Sequence, residues 1–386
     1  MAQDKLKITY IVSVSYGGIL HYSACLANAV AEMAEVTVIK PKDSYSHLFS
    51  SKVKVIELFN EVQFGRGKPS KWLTLRNIES LLSYWRIRQI KSMEQDILHF
   101  PELYPYSVFF AKWFGIHKCN KIVVTLHATF AAPLDLLKQK ATVSYRIVTF
   151  ATELLKRSLH KDIIIVHSEH NRKILTDSGI SEKQISIVPH GVYSFFKENC
   201  REDVQEEPMT ILFFGYIVPG KGLDVLLRAS KAVAMRLSAF RLIVAGQGSV
   251  EEYGGLLSEI GTVELYNDYI PEGKVGELFQ RAAVVVLPYV EHVGHSGVLL
   301  TAMGFNKPVI VSDIGDMSNI VTEGMDGLVV PPSDEGALEK AIVKLLTDDE
   351  LRSNMKRNIA RKANVLSWRN IAETHMMIYS CLAGLA

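Results

Sequence analysis

The sequence predicts an α/β protein of two domains, each a parallel sheet covered by helices. Three observations lead there. The chain has 386 residues, more than one hydrophobic core usually serves. Short β-rich apolar runs alternate with helical stretches, the rhythm of successive βαβ units. Pro189-His190-Gly191 then breaks that rhythm near the midpoint.

In the first half the runs are Ile8–Val14, Val36–Ile39, Val53–Glu57, Ile97–Phe100, Ile122–Leu126, Ile163–Val166 and Ile185–Val188. In the second they are Thr210–Phe214, Arg241–Ala245, Val263–Tyr266, Val284–Leu287, Val309–Val311 and Gly327–Val330. They are continuously apolar rather than alternating, as expected of strands buried on both faces. Gly222–Arg236 and Leu299–Phe305 read as helices between them. Ser367–Leu385 reads as a final helix whose Trp368, Ile371, Met376, Ile378 and Leu382 form a docking face. The domains are then 1–190 and 191–366, with 367–386 as the terminal helix. The acid-rich run Arg201 to Pro208 reads as the linker into the second domain, and Phe64 to Lys71 as a surface loop.

Composition is that of a globular chain, 48% hydrophobic and 22% charged. The apolar run near the start is too short to span a membrane, no small-residue cleavage site follows it, and no other stretch is long enough. Cys25, Cys119, Cys200 and Cys381 show no metal or redox spacing. Three of them read as small core residues, and their sparseness fits a reducing cytosol. The net charge of +2 hides an asymmetry. Residues 1–190 hold 25 Lys and Arg against 16 Asp and Glu, while the remainder hold 18 against 25. A basic first half suits an anionic partner, although two ordinary solvated surfaces would give the same split.

Three loops carry chemistry. The first strand runs into Gly17-Gly18 and then a helix, where bare backbone and a helix N-terminus favour an anion. No third glycine completes a dinucleotide fingerprint, and a tight structural turn explains the pair equally well. The second half opens with a strand leading to Gly215-Tyr216-Ile217-Val218-Pro219-Gly220-Lys221-Gly222 and a helix. A glycine-flanked lysine there can neutralise a diphosphate that backbone amides hold, but the Walker spacing is absent. Alone, it also fits a solvated lysine at a helix start. Leu287-Pro288-Tyr289 then leads into Glu291-His292-Val293-Gly294-His295-Ser296-Gly297. This is a polar, glycine-punctuated loop at the carboxyl end of a strand, where open α/β sheets bind ligands.

Taken in order, these loops with Val188-Pro189-His190-Gly191-Val192, Ala245-Gly246-Gln247-Gly248 and Lys307-Pro308-Val309-Ile310 resemble the family-four retaining glycosyltransferases. The resemblance covers nearly the whole chain and is strongest from Ile185 to Pro331. It implies the GT-B fold: two Rossmann-like domains facing each other across a cleft, with the C-terminal helix crossing back to the first. It implies that the second domain binds a nucleotide sugar and the first an acceptor. Lys221 matches the lysine of the donor diphosphate, and Gly294, His295, Ser296 and Gly297 the loop on sugar and phosphate. Tyr269 and Ile270 fall where main chain receives the base, and His127 matches a histidine facing the donor sugar. Gly17, Gly18, Gly215, Tyr216, Gly246 and Thr301 complete the implied donor contacts.

The chain departs from the family's pattern. Tyr216 stands where a basic residue is common. The usual glutamate pair, eight residues apart, falls on Val293 and Thr301, so the usual roles cannot be carried over. Glu291, two residues early, is the remaining candidate carboxylate, with His127 and Lys221 as the other catalytic candidates.

The implied activity is transfer of a hexose, with retention, from a UDP-sugar such as UDP-glucose ahead of GDP-mannose. The acceptor is a carbohydrate or lipid-linked sugar of polysaccharide or glycolipid synthesis. No metal, cofactor or nucleic acid is expected. Two other readings stand: a GT-B sugar-nucleotide epimerase, and a non-catalytic sugar-nucleotide-binding homologue, which the missing glutamates favour. Finally, 68–91 mixes six basic residues with Trp72, Leu73, Leu75, Leu81, Leu82, Tyr84 and Trp85 around a single acid, Glu79. That pattern suits a peripheral contact with anionic lipid on the cytoplasmic side of a membrane, or a buried amphipathic helix.

Overall fold

The computed structural model describes residues 5–42, 44–62, 75–118, 121–127, 159–291 and 296–385. The chain divides into two compact units, Met1–His190 with Trp368–Ala386, and Gly191–Ser367.

The first unit is built on a parallel sheet of β1 (Lys7–Ile11), β2 (Glu35–Pro41), β3 (Val53–Phe59), β4 (Ile97–Phe100), β5 (Lys121–Thr125), β6 (Ile163–Val166) and β7 (Ile185–Ile187). Their order is β3-β2-β1-β4-β5-β6-β7, so the winding reverses between β1 and β4. Its helices include α1 (Gly18–Val30), α2 (Leu75–Ser83), α3 (Pro105–Trp113) and α4 (Glu169–Asp177). The pleat sends Ile8 and Tyr10 to one face, against Leu20 and Leu26 of α1. It sends Ile11 to the other, against Tyr84, Ile87 and Val108. Burial on both faces is why these strands read as unbroken apolar runs.

The terminal helix Trp368–Ala383 packs on the α1 face of this sheet through Ile371, Ala372 and Tyr379, with Trp368, Met376, Ile378 and Leu382 beside them. Each fully buried apolar side chain contributes roughly 1.5–3 kcal/mol. A buried polar network fixes its register. The Tyr379 hydroxyl lies 2.6 Å from His99 Nδ1 and 3.2 Å from the Tyr10 hydroxyl, and His99 Nε2 lies 2.8 Å from Thr125 Oγ1. Burial holds His99 neutral, well below its ordinary pKa.

The second unit carries the parallel sheet β10-β9-β8-β11-β12-β13. Its strands are β8 (Glu207–Phe214), β9 (Arg241–Ala245), β10 (Val263–Tyr266), β11 (Ala282–Leu287), β12 (Val309–Ser312) and β13 (Gly327–Val330). Its helices are α5 (Leu223–Arg236), α6 (Gly254–Ile260), α7 (Glu272–Arg281), α8 (Gly297–Gly304), α9 (Met317–Ile320), α10 (Glu335–Thr347) and α11 (Asp349–Val365). The winding reverses between β8 and β11. Arg281 ties the edge together, bonding Glu207 and Glu264 at 2.6 Å each.

Each strand run read from the sequence is a strand, with ends displaced by up to a few residues. Three other expectations change. The acid-rich run 201–208 is no free linker: Glu206 pairs with Lys307 at 2.7 Å and Lys356 at 2.6 Å, and Glu207 begins β8. The segment after α2 tightens into a 3₁₀ helix, Tyr84–Ser92, and does not continue as one α-helix. Cys381 is exposed and Cys25 half-buried, so neither is a core cysteine; Cys119 and the loop 64–71 lie outside the described residues.

Candidate functional site

In the second unit three loops meet at the carboxyl ends of β8, β9 and β11, on both sides of the winding reversal. Gly215 takes φ +113° and donates its N–H to the Ala245 carbonyl at 2.9 Å. Ile217 donates to Gln247 at 3.0 Å. A Cβ on Gly246 would stand 1.8 Å from the Gly215 carbonyl oxygen. Gly222, at φ +66°, leaves the same lack of room: its Cβ would lie 1.9 Å from the Pro288 oxygen. The Val290 and Glu291 amides both donate to the Gly220 carbonyl at 3.1 Å. Gly246 and Gly222 are therefore required by backbone crossing, whatever binds there.

Lys221 ends the short 3₁₀ turn Pro219–Lys221 within this crossing. Its Nζ lies 3.6 Å from the centre of the Tyr289 ring, a cation–π contact. Burial pushes its pKa down to about 8, and among the described residues no carboxylate pairs with it. The Tyr289 hydroxyl is 3.2 Å from Ser296 Oγ, which also caps α8 by accepting the Leu299 N–H. One chain of contacts thus joins the lysine, the aromatic ring and the start of the next helix.

The other predicted donor residues are distributed as follows. Tyr216 and Tyr269 are exposed and Ile270 half-buried, the last two between β10 and α7. A Cβ on Gly297 would make only ordinary contact, 3.5 Å from the Tyr193 ring. Gly294 and His295 lie outside the described residues. Ser296 is buried and already engaged as a cap. Thr301 is buried in α8 and donates its hydroxyl hydrogen to the Gly297 carbonyl at 2.9 Å, which turns it into its own helix. Its hydrogen is thus committed to its own helix, and only the acceptor side of the hydroxyl remains for a ligand. Glu291 is exposed and pairs with no cation among the described residues.

In the first unit Gly17 has φ +88° and precedes α1, and a Cβ on Gly17 or Gly18 would meet nothing within 4 Å. The side-chain space at both glycines is open. His127 follows β5 and sits among residues that sequence reading had not joined to it. Its ring lies 4.7 Å from His167, which follows β6, and 5.6 Å from His190, which follows β7. Tyr22 of α1 stands edge-on to it at 4.4 Å, and Trp368 closes the group 5.7 Å from His190. Half-buried Glu102, just past β4, has its carboxyl pushed up to about 7 by desolvation. The readable signal was positional: three histidines each stand within a few residues of a strand's end.

Both sheets thus place their polar loops where doubly wound folds bind ligands. Residues 16–193 match the family described as Glycosyltransferase Family 4, and residues 208–348 match Glycosyl transferases group 1. The chain belongs to the family-four glycosyltransferases. The phosphatidyl-myo-inositol mannosyltransferase of Mycolicibacterium smegmatis is 23% identical over 68% of this chain and 72% of its own length. The Mycobacterium leprae enzyme of the same description is 31% identical, over 45% of this chain and 47% of its own. Among solved structures, Anabaena HepE in complex with UDP-glucose superposes with a TM-score of 0.73 at 14% identity, covering 97% of this chain and all of that one. Sucrose-phosphate synthase from Thermosynechococcus elongatus superposes at 0.71 with 20% identity, covering 99% of this chain and all of that one. The fold of this glycosyltransferase is GT-B.

Proposed function

We propose that the chain transfers a hexose from a nucleoside-diphosphate sugar to an acceptor hydroxyl with retention of configuration, without a metal. The observation that carries this is Lys221, a desolvated ammonium held on an aromatic ring at the winding reversal of the second sheet. A diphosphate would restore the charge partner that burial withholds, through charge-assisted hydrogen bonds. Stabilising the departing diphosphate is then the main electrostatic contribution to rate. His127 is assigned to the reacting sugar, and the first unit, with its basic charge, to the acceptor. A UDP-sugar is favoured over GDP-mannose, in keeping with the UDP-glucose complex of HepE. The mannosyltransferase relatives support the other donor.

The acceptor is proposed to be lipid-linked, in polysaccharide or glycolipid synthesis, with the enzyme peripheral on the cytoplasmic face of a membrane. Exposed Leu82, Trp85, Phe109 and Trp113 support that reading. Among the described residues no helix is long and apolar enough to cross one.

The test is calorimetric binding of UDP-glucose, UDP-galactose and GDP-mannose, followed by product analysis with and without acceptor lipids. Tight binding of one donor and an α-linked product support the proposal. Epimer formation without acceptor would make the protein an epimerase, and binding without turnover would make it a sugar-nucleotide-binding homologue.

A further inference from the structure

His127 and His167 are joined in a hydrogen-bonded chain whose two ends are backbone carbonyls. His167 Nδ1 lies 2.8 Å from the Val188 oxygen, and His127 Nε2 lies 3.0 Å from the Pro101 oxygen. Between the rings, His167 Nε2 lies 3.1 Å from His127 Nδ1. A carbonyl oxygen only accepts, so both outer nitrogens must carry hydrogen. The inner contact needs one hydrogen more. Four nitrogens therefore hold three protons, whereas two neutral imidazoles supply two.

We infer that His127 and His167 share one extra proton, and that His167 is a positioning residue that keeps His127 charged and fixed in orientation. This rests on the assignment of His127 to the reacting sugar. Both His127 nitrogens are engaged with protein, so what the residue brings is a resident positive charge and a fixed ring. The surroundings suit a cation. Tyr22 of α1 stands 4.4 Å from the His127 ring and 5.6 Å from the His167 ring. The other titratable groups around the pair are His190 beyond β7, at 5.6 and 5.1 Å, His99 in β4, whose charging His127 opposes, and Glu102 beyond β4, which acts on Tyr22. Burial keeps His99 neutral, so it adds no second positive charge beside the pair. The proton belongs to the two rings together, and they lose it in one coupled step.

The test is nitrogen NMR of the whole protein labelled at histidine. At pH 7 the pair should show three protonated nitrogens of four. Two neutral imidazole patterns there would overturn the inference. In His167→Leu the inner bond is gone, so His127 should become neutral at pH 7. kcat should drop roughly tenfold or more, the size of one charge-assisted bond, with donor KM little changed. At saturating donor a diphosphate-paired Lys221 keeps its charge, so the alkaline fall of kcat reports the histidine pair. That fall should disappear in His167→Leu, and an unchanged profile counts against the positioning role. His167→Gln retains an acceptor for His127 and should recover part of kcat. The resonances do not depend on turnover. A protonated pair in a protein that transfers no sugar would sink the functional proposal, and with it the positioning role, and leave the shared proton standing.

Discussion

The ammonium of Lys221 stands 3.6 Å over the ring of Tyr289, although 68 residues separate them in the chain. The ring takes the place of a counter-ion and leaves the charge available to a ligand. Tyr289→Leu should weaken binding of a nucleoside diphosphate about two- to thirtyfold, the range of a cation–π contact. Lys221→Ala should weaken it about ten- to hundredfold. Tyr289→Phe keeps the ring and should bind nearly normally. Calorimetry with UDP distinguishes these cases, and unchanged affinity in Lys221→Ala would remove the lysine from the site.

The same lysine sets a pH dependence. Its folded pKa of about 8 lies below the ordinary lysine value, so it is charged below pH 8 and neutral above. Affinity for a nucleoside-diphosphate sugar, whose phosphates have no second ionisation near neutrality, should therefore decline as pH rises through about 8. Lys221→Arg, which stays charged, should remove that decline even if its affinity is lower.

The glycines separate into structural and open positions. Gly222→Ala puts a Cβ against the Pro288 oxygen at a positive φ and should destabilise the second unit by ~2 kcal/mol or more. Gly297→Ala meets only the edge of Tyr193 and should melt near the unmodified protein. Melting curves of the two variants check this. Equal stability would show that the β8 and β11 loops do not cross as described.

Much of this was legible in the sequence, because strands buried on both faces leave unbroken apolar runs and loops at strand ends leave glycine and polar clusters. Lys221 could be read from its own neighbours. Tyr289 could not, since only the adjacency of β8 and β11 brings it under the ammonium. His127, His167 and His190 share that difficulty: their common surroundings arise from β5, β6 and β7 lying side by side, a topological fact. The run 201–208 misled for a similar reason. Its acids look solvated until Lys307 and Lys356 arrive from far along the chain. Thr301 keeps the spacing of a site residue, and the sequence did not show that its hydroxyl hydrogen goes to the Gly297 carbonyl of its own helix.

Burial of His375 makes the first unit sensitive to acid. Its folded pKa is pushed down to about 4, while the unfolded chain takes up a proton near 6.5. Between those values the unfolded state binds more protons, so stability is full above about pH 6.5 and is lost as pH falls toward 4. The loss is about 3 kcal/mol at most. His375 Nδ1 donates to the Ile371 carbonyl, and its Nε2 has no partner among the described residues. His375→Leu should flatten the fall in melting temperature between pH 6.5 and 4. A variant that loses stability over that window as steeply as the unmodified protein would place the acid sensitivity elsewhere, with His99 the next candidate.

The last expectation concerns the surface formed by α2, the 3₁₀ segment after it, and α3. Leu82 is 66% exposed, Trp85 47%, Phe109 54% and Trp113 67%, a density of bare apolar side chains unusual on one small region. Trp85 packs on Phe114 at 4.7 Å and Phe109 on Trp113 at 5.6 Å, so the two elements present them together. Arg86, Arg88 and Lys91 are exposed on the same segment, while Tyr84, Ile87 and Ile90 turn inward and anchor it. Lys68, Lys71, Trp72 and Leu73 of the sequence pattern lie outside the described residues. Each basic residue near an anionic surface contributes about 1 kcal/mol, and inserted aromatic rings add a part that salt does not screen. The protein should therefore sediment with anionic vesicles at low salt and be largely released at high salt. Replacing Arg86, Arg88 and Lys91 with Glu should abolish that binding, and Trp85→Ala with Trp113→Ala should weaken the residue that survives salt. Neither set should alter donor affinity, since Lys221 belongs to the other unit. If the unmodified protein ignores anionic vesicles at low ionic strength, the aromatic surface meets something other than lipid, and a soluble acceptor becomes the better reading.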